Sequence, residues 1–496
     1  MHAAGESDKR VVPTKCPNKE AEEIPEASAE GKEGRRLTKR NSNEDRTHRT
    51  PSRTECVPGL ERVRAAARRD KKQQFTALLH HVSVDLLRAS YEALNKSAAP
   101  GVDGVTWQQY GEGVEERIRD LHVRIHRGSY RAQPSKRKYI DKEDGRQRPL
   151  GIAALEDKIA QQAVVTVLNQ VYEEDFLGFS YGFRPGRSQH NALDALTVGI
   201  TRKKVNWILD ADIRGFFDNM DHEWLMKFVE YRIADPRILR LIQKWMKAGV
   251  SEEGQWQDSR VGTPQGAVAS PMLANLYLHY TFDLWANQWR EQKAQGDMIV
   301  VRYADDIVLG FEHRGEAAAF LKQMGERLRE FGLELHPEKT RLIEFGRFAA
   351  QDRARRGEGK PETFNFLGFT HLCGKNQKGG WFQVKRKTIK KRMRSKLRAV
   401  KQELGKRIHE KVTVTGKWLK SVVLGYFNYH AVPGNMKALR AFRREVGRLW
   451  LQMLRRRSQR HRMTWKRFVQ LLIQYLPSPR ILHPYPEVRF DAKYSR

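Results

Sequence analysis

The sequence predicts an α+β fold, and three observations lead there. Two apolar, strand-like runs lead into acid, Val205–Asp212 and Met298–Tyr303, and the second continues after a tight turn into Ile307–Phe311. Long segments such as Leu155–Val171 carry apolar residues in a helical pattern. The last quarter of the chain is dense in Lys and Arg with interleaved aromatics and reads as helical.

Taken in order, residues 1–60 hold no aromatic and are rich in Glu, Lys, Arg, Ser, Thr, Asn and Pro, a composition that cannot bury enough apolar surface to offset chain entropy. A disordered tail is expected there. From Gln73 to Asn95 Phe75, Leu78, Leu79, Val82, Leu86 and Leu87 recur at helical spacing, and the turn signals of Ala99-Pro100-Gly101-Val102-Asp103-Gly104 follow. Lys138–Arg148 reads as a polar hairpin turning at Asp144-Gly145. The expected divisions are the tail, an N-terminal extension over 61–135, a mixed domain over 136–372 and a basic helical domain over 373–496.

Lys and Arg number 92 against 59 acidic residues, a formal charge of +33 on 496 residues. Residues 381–496 hold 31 of the basic and 5 of the acidic residues, hence +26 of that excess. Such self-repulsion calls for a polyanionic partner, and nucleic acid is the natural one. Three cysteines, Cys16, Cys56 and Cys373, exclude a disulfide framework and a Cys-rich zinc site. No apolar run reaches a membrane span and the N-terminus has Glu6 and Asp8, so a soluble, intracellular protein without a membrane partner is expected.

The chemistry concentrates where acids cluster. Tyr303-Ala304-Asp305-Asp306 puts carboxylates at a hairpin tip, and Asp210 and Asp212 alternate along a strand and so share a face. Neighbouring carboxylates repel, and divalent cations relieve that repulsion. Oxygen ligands without His or Cys favour Mg²⁺ or Mn²⁺. Two such ions suit in-line nucleotidyl transfer. A lone Asp-Asp turn would be no more than a solvated tip, but it does not stand alone.

Tyr303–Asp306 after Arg302, the segment Asp212-Ile213-Arg214-Gly215-Phe216-Phe217-Asp218, Gly262-Thr263-Pro264-Gln265-Gly266 with Ser270-Pro271-Met272-Leu273-Ala274-Asn275, Gly182-Phe183-Arg184-Pro185-Gly186-Arg187-Ser188, Arg148–Ile152, Leu335–Thr340 and Phe366–Phe369 occur in the order seen in one family. Together they resemble the reverse transcriptase encoded by group II introns, from about Ala98 to Thr370 and more loosely to the end. The extension Ala98–Gly104 is typical of this family. The resemblance implies a right-hand polymerase, with fingers and a palm built on an antiparallel sheet and a helical basic thumb/maturase domain.

The resemblance also implies roles. Asp212, Asp305 and Asp306 are the catalytic, metal-holding acids; five-residue spacing to Phe217 favours Asp212 over Asp210 and makes Phe217 a gate that selects deoxynucleotides, the alternative being an ordinary core phenylalanine. Lys142 and Arg148 meet the incoming triphosphate, the alternative being a solvated surface pair; Tyr303 lies at the nucleotide, and Gln265 contacts template or primer near it. For Lys339 two readings stay open, proton donation to pyrophosphate or a plain loop lysine. Intron RNA is expected against Lys385, Arg386, Lys387, Arg443, Arg444, Arg455, Arg456 and Arg457. The expected partners are group II intron RNA, an RNA template with its DNA primer, deoxynucleoside triphosphates and target DNA, in a bacterial cytoplasm. The paired His and Cys-X-X-Cys elements of a DNA endonuclease, present in many relatives, are not found after Arg480, which implies a group IIC-like, endonuclease-lacking member. The alternatives are a maturase with dispensable polymerase activity and a domesticated enzyme in defence.

Overall fold

The computed structural model describes residues 59–141, 147–252, 255–257, 262, 266–376, 379–457 and 463–493. The expected tail therefore lies outside the described residues except at its end, where Leu60 already opens the helix Leu60–Arg69 and is buried with Val63 and Ala67. The chain forms two compact units. The first runs to Ala192 and includes Leu209–Leu309 and Gly315–Arg341; the second holds Leu193–Ile208, Gly310–Arg314 and the chain from Leu342.

In the first unit the helical run expected over 73–95 is broken. Phe75 instead pairs with Ile233, donating to the Arg232 carbonyl and accepting from Ala234, each at 2.8 Å. The buried Asp235 carboxylate accepts from the backbone N–H groups of Leu78 and Leu79 at 2.7 and 2.9 Å. Helix proper starts at Val84, where the Ser83 hydroxyl caps the Leu86 N–H. Side-chain acceptors thus capture donors that periodicity alone assigns to a helix.

β1 (Ser135–Asp141) and β2 (Gln147–Ile152) form the expected antiparallel hairpin, in register from Lys136 against Ile152 to Asp141 against Gln147. Its tip, with Lys142 and Asp144-Gly145, lies outside the described residues. The helix expected from Leu155 extends to Asp175 and is buried almost all round, as befits a core helix.

β3 (Trp207–Asp212), β4 (Val250–Glu252), β5 (Gln255–Gln257), β6 (Met298–Tyr303), β7 (Asp306–Phe311) and β8 (Arg341–Glu344) complete two sheets, ordered β2-β1-β4-β5 and β6-β7-β3-β8. β6 and β7 are buried along nearly their whole length, which explains their continuous apolar sequence.

The second unit contains β9 (Phe364–Phe366), β10 (Phe369–Lys375) and β11 (Phe382–Thr388), an antiparallel sheet ordered β11-β10-β9. The boundary expected at 373 therefore falls inside a strand, and the basic tract begins as sheet: Val384, Arg386 and Thr388 are buried in alternation. Helices Lys390–Lys406, Val412–His430, Met436–Arg456 and Trp465–Tyr475 then pack around Leu419, Phe427, Phe442 and Trp450. Asp194, 1% exposed, accepts from Arg386 at 3.1 Å and also receives Arg489 from the last described helix, Pro486–Lys493. Asp194→Ala strands two guanidinium groups without their carboxylate, so unfolding in urea is expected to show a loss of about 3–5 kcal/mol; an unchanged midpoint would show the pairing to be unimportant.

Candidate active site

Both acids expected on β3 meet a cation supplied by the neighbouring strand β8 or the loop that enters it. Asp212 Oδ2 lies 2.5 Å from Lys339 Nζ, and Asp210 Oδ2 lies 3.5 Å from Arg341. The backbone joins the same pieces: Asp212 donates its N–H to the Thr340 hydroxyl (3.5 Å) and its carbonyl accepts from His336 N–H (2.8 Å). Burial pushes the Asp210 carboxyl up to about 6, with Arg341 opposing and Asp212 adding to the rise.

The hairpin tip is held from below. Ala304 adopts a left-handed conformation with φ 57°, unusual for a residue with a side chain. Its carbonyl accepts from Arg302 at 3.1 Å. Arg302 is wholly buried, and its guanidinium uses all five donors: two on Asp283 (2.7 and 2.5 Å), one on Ser180 Oγ (2.7 Å), one on Asn275 Oδ1 (3.0 Å) and one on Ala304. Asp283 reaches it from the π-helical turn His279–Asp283 that follows helix Ser270–Leu278.

Asn275 in turn donates to the Gly182 carbonyl at 2.7 Å. A Cβ on Gly182 would stand 2.3 Å from the Ala304 nitrogen, so only glycine lets this segment lie against the turn. Gly182–Ser188 and Ser270–Asn275 therefore contribute the frame of the hairpin tip. Sequence reasoning quoted Arg302 but gave it no role, and it missed Asp283 and Ser180. The available signal was a charged residue ending the apolar run Met298–Val301, which burial obliges to find partners.

Other expected residues fall as follows. Asn206, just before β3, donates to Phe311 at the far end of β7 (2.9 Å), so the two strands run antiparallel and their acidic ends coincide. Asp305 is half-buried and Asp306 exposed. Among the described residues, no three His, Cys, Asp or Glu side chains converge closely enough to hold a metal by themselves; Asp212 is bonded to Lys339. Phe217 is buried, edge-on to Phe216 at 5.3 Å, under a loop whose Gly262 packs on the Phe217 and Asp218 carbonyls. Tyr303 is half-buried, which raises its hydroxyl pKa, and its ring centre lies 6.4 Å from that of Phe183. Arg148 pairs with Ile140 in the hairpin, and Gln265, like Lys142, lies outside the described residues.

The basic residues divide. Lys387, Arg444, Arg455 and Arg456 are exposed and Lys385 partly so. Three others bond within the fold: Arg386 is the buried partner of Asp194, while the part-buried Arg443 donates to the carbonyls of Leu472, Leu476 and Pro477 at a helix end and the part-buried Arg457 donates to the Ile408 carbonyl.

The family of reverse transcriptases (RNA-dependent DNA polymerases) matches residues 140–371. This segment is a reverse transcriptase domain. Its similarity extends to Protein YkfC of Escherichia coli K12 (35% identity, 42% of this chain and 62% of that one). The group II intron-encoded protein LtrA of Lactococcus lactis is 36% identical over 44% of this chain and 37% of its own. An uncharacterized 91 kDa protein in the cob intron of Schizosaccharomyces pombe is 41% identical over 44% and 27%. The chain thus spans less than two thirds of each of these relatives. Among the described residues no helix is long and apolar enough to cross a membrane.

Within the reverse transcriptase domain the frame around Ala304 sets the position of both hairpin acids. Gly182→Ala forces the turn to move and is expected to lower primer extension about 100-fold, since a displacement near 1 Å is costly at a reacting centre. Circular dichroism and the unfolding midpoint check that the fold persists; full activity in the variant would refute the close-packing requirement.

Proposed function

We propose that this chain is an RNA-directed DNA polymerase that also binds a group II intron RNA and assists its splicing and mobility. The observation that carries the reading is the coincidence of acidic strand ends: β3 with Asp212 and the Arg302-clamped tip with Asp305 and Asp306, inside the reverse transcriptase domain. The chain matches only part of its relatives, so their names support this reading without covering the whole protein.

The reverse transcriptase family uses divalent metal, and the donor set here fits it, because all three candidate ligands are hard carboxylate oxygens. Asp212, Asp305 and Asp306 would hold two Mg²⁺ ions, with Mn²⁺ as a substitute; Mg²⁺ takes few protein ligands and completes its shell with phosphate and water, which suits a set that does not close into a cage by itself. When bound, the ions supply activation of a 3′-hydroxyl and neutralisation of the leaving pyrophosphate.

The chain's own residues do the rest. Arg302 keeps the Asp305-Asp306 tip from moving during the reaction. Phe217, fixed edge-on to Phe216, presents a rigid face to the sugar of the incoming deoxynucleoside triphosphate. Lys142 and Arg148 meet its phosphates, Tyr303 and Gln265 its base and the template–primer, and target DNA supplies the primer during mobility. On the second unit Lys385, Lys387, Arg444, Arg455 and Arg456 grip phosphates of the intron RNA. The similarity to the E. coli and L. lactis proteins supports a bacterial setting, and the cytoplasm is the compartment proposed.

Primer extension on an RNA template with Mg²⁺ tests the polymerase reading. Asp305→Ala and Asp306→Ala are each expected to abolish extension while leaving intron RNA binding and splicing assistance intact. Extension that survives both substitutions would sink it.

A further inference from the structure

The pairing at the end of β3 is patterned. Two acids two residues apart, Asp210 and Asp212, face two cations two residues apart, Arg341 and Lys339, on the neighbouring strand β8 and the loop entering it. The inner acid, Asp210, receives arginine, whose guanidinium has several donors and stays charged. The outer acid receives lysine, a compact ammonium on a flexible stem. Among the described residues, the Lys339 ammonium has Asp212 Oδ2 as its hydrogen-bond partner, and its side chain is 50% exposed against 23% for Asp212.

This contact is built into the backbone. Residues 334–336 run along the end of β3: Arg214 N–H donates to the Glu334 carbonyl and His336 N–H to that of Asp212, both at 2.8 Å, and Ile213 bridges Leu335. Thr340 N–H closes the loop onto the His336 carbonyl at 2.9 Å. Lys339 is thus delivered to Asp212 by a loop fastened to the same strand.

We propose that Lys339 is the internal counter-cation of Asp212, competing with divalent metal for its carboxylate and so setting the metal affinity of the site. The inference rests on the metal role proposed for Asp212. Three carboxylates at one sheet end repel one another, and an exposed ammonium offsets that repulsion while giving way readily, because a half-exposed single contact is weak. The choice of residue follows. Arginine at 339 would hold Asp212 through a fork and yield less easily, whereas a neutral side chain would leave the acid to the metal.

The test is Mn²⁺ titration of the full chain without nucleic acid, free Mn²⁺ being read by electron paramagnetic resonance. Asp212→Asn defines the part of the binding that depends on this acid. Lys339→Gln is expected to tighten that part about fivefold, the worth of one exposed ion pair, and Lys339→Arg to weaken it by a comparable factor. Unchanged or weaker binding in Lys339→Gln, with Asp212→Asn still removing Mn²⁺, overturns the inference and leaves the metal site standing. Mn²⁺ binding indifferent to Asp212→Asn overturns the metal assignment and the inference with it.

Discussion

One buried cation organises the acid-bearing hairpin tip of the first unit. Arg302 sits where water cannot reach, and an uncompensated guanidinium there would be prohibitively unfavourable. Its five donors therefore dictate where five acceptors must stand, and these come from four separate stretches of chain: Ser180, Asn275, the two oxygens of Asp283, and the carbonyl of Ala304. The turn that carries Asp305 and Asp306 is consequently fixed by what lies beneath it, even though Ala304 must adopt a left-handed conformation to satisfy the arrangement.

This accounts for motifs that would otherwise seem unrelated. Asn275 is needed because it accepts from Arg302 and donates to Gly182 at once; Gly182 is needed because a Cβ would collide with Ala304. The π-helical turn at His279–Asp283 brings the carboxylate to the guanidinium. Rigidity here has a functional sense, since groups that stabilise developing charge act best when they need no reorganisation. At β3 the logic differs: Asp210 and Asp212 are both partly exposed, and among the described residues each side chain meets one cation, Arg341 at 3.5 Å and Lys339 at 2.5 Å.

The sequence was informative where periodicity and chemistry coincide. Apolar runs flanked by acid located β3, β6 and β7, and the Asp144-Gly145 signal located the β1–β2 hairpin. It misled where long-range partners intervene. Nothing local in Gln73–Asn95 reveals that Asp235 takes the Leu78 and Leu79 donors, and Lys/Arg density in Lys385–Thr388 concealed the alternation that makes β11 a strand. Charge counting likewise could not separate Arg386, Arg443 and Arg457, which hold the second unit together, from exposed Lys387, Arg444, Arg455 and Arg456. An arginine's partner is a tertiary fact, and only folding decides whether that partner is a carbonyl, a carboxylate or an RNA phosphate.

On the proposed reading, the hairpin tip locked by Arg302 and the end of β3 act as one metal-dependent centre. The most direct measurement is anomalous scattering from Mn²⁺ in crystals of the protein with an RNA template, a DNA primer ending in a dideoxynucleotide and the next deoxynucleoside triphosphate. Mn²⁺ is expected on Asp212 and Asp305, with the Ala304 carbonyl still on Arg302. Mn²⁺ bound to the triphosphate but to none of Asp212, Asp305 and Asp306 would contradict it.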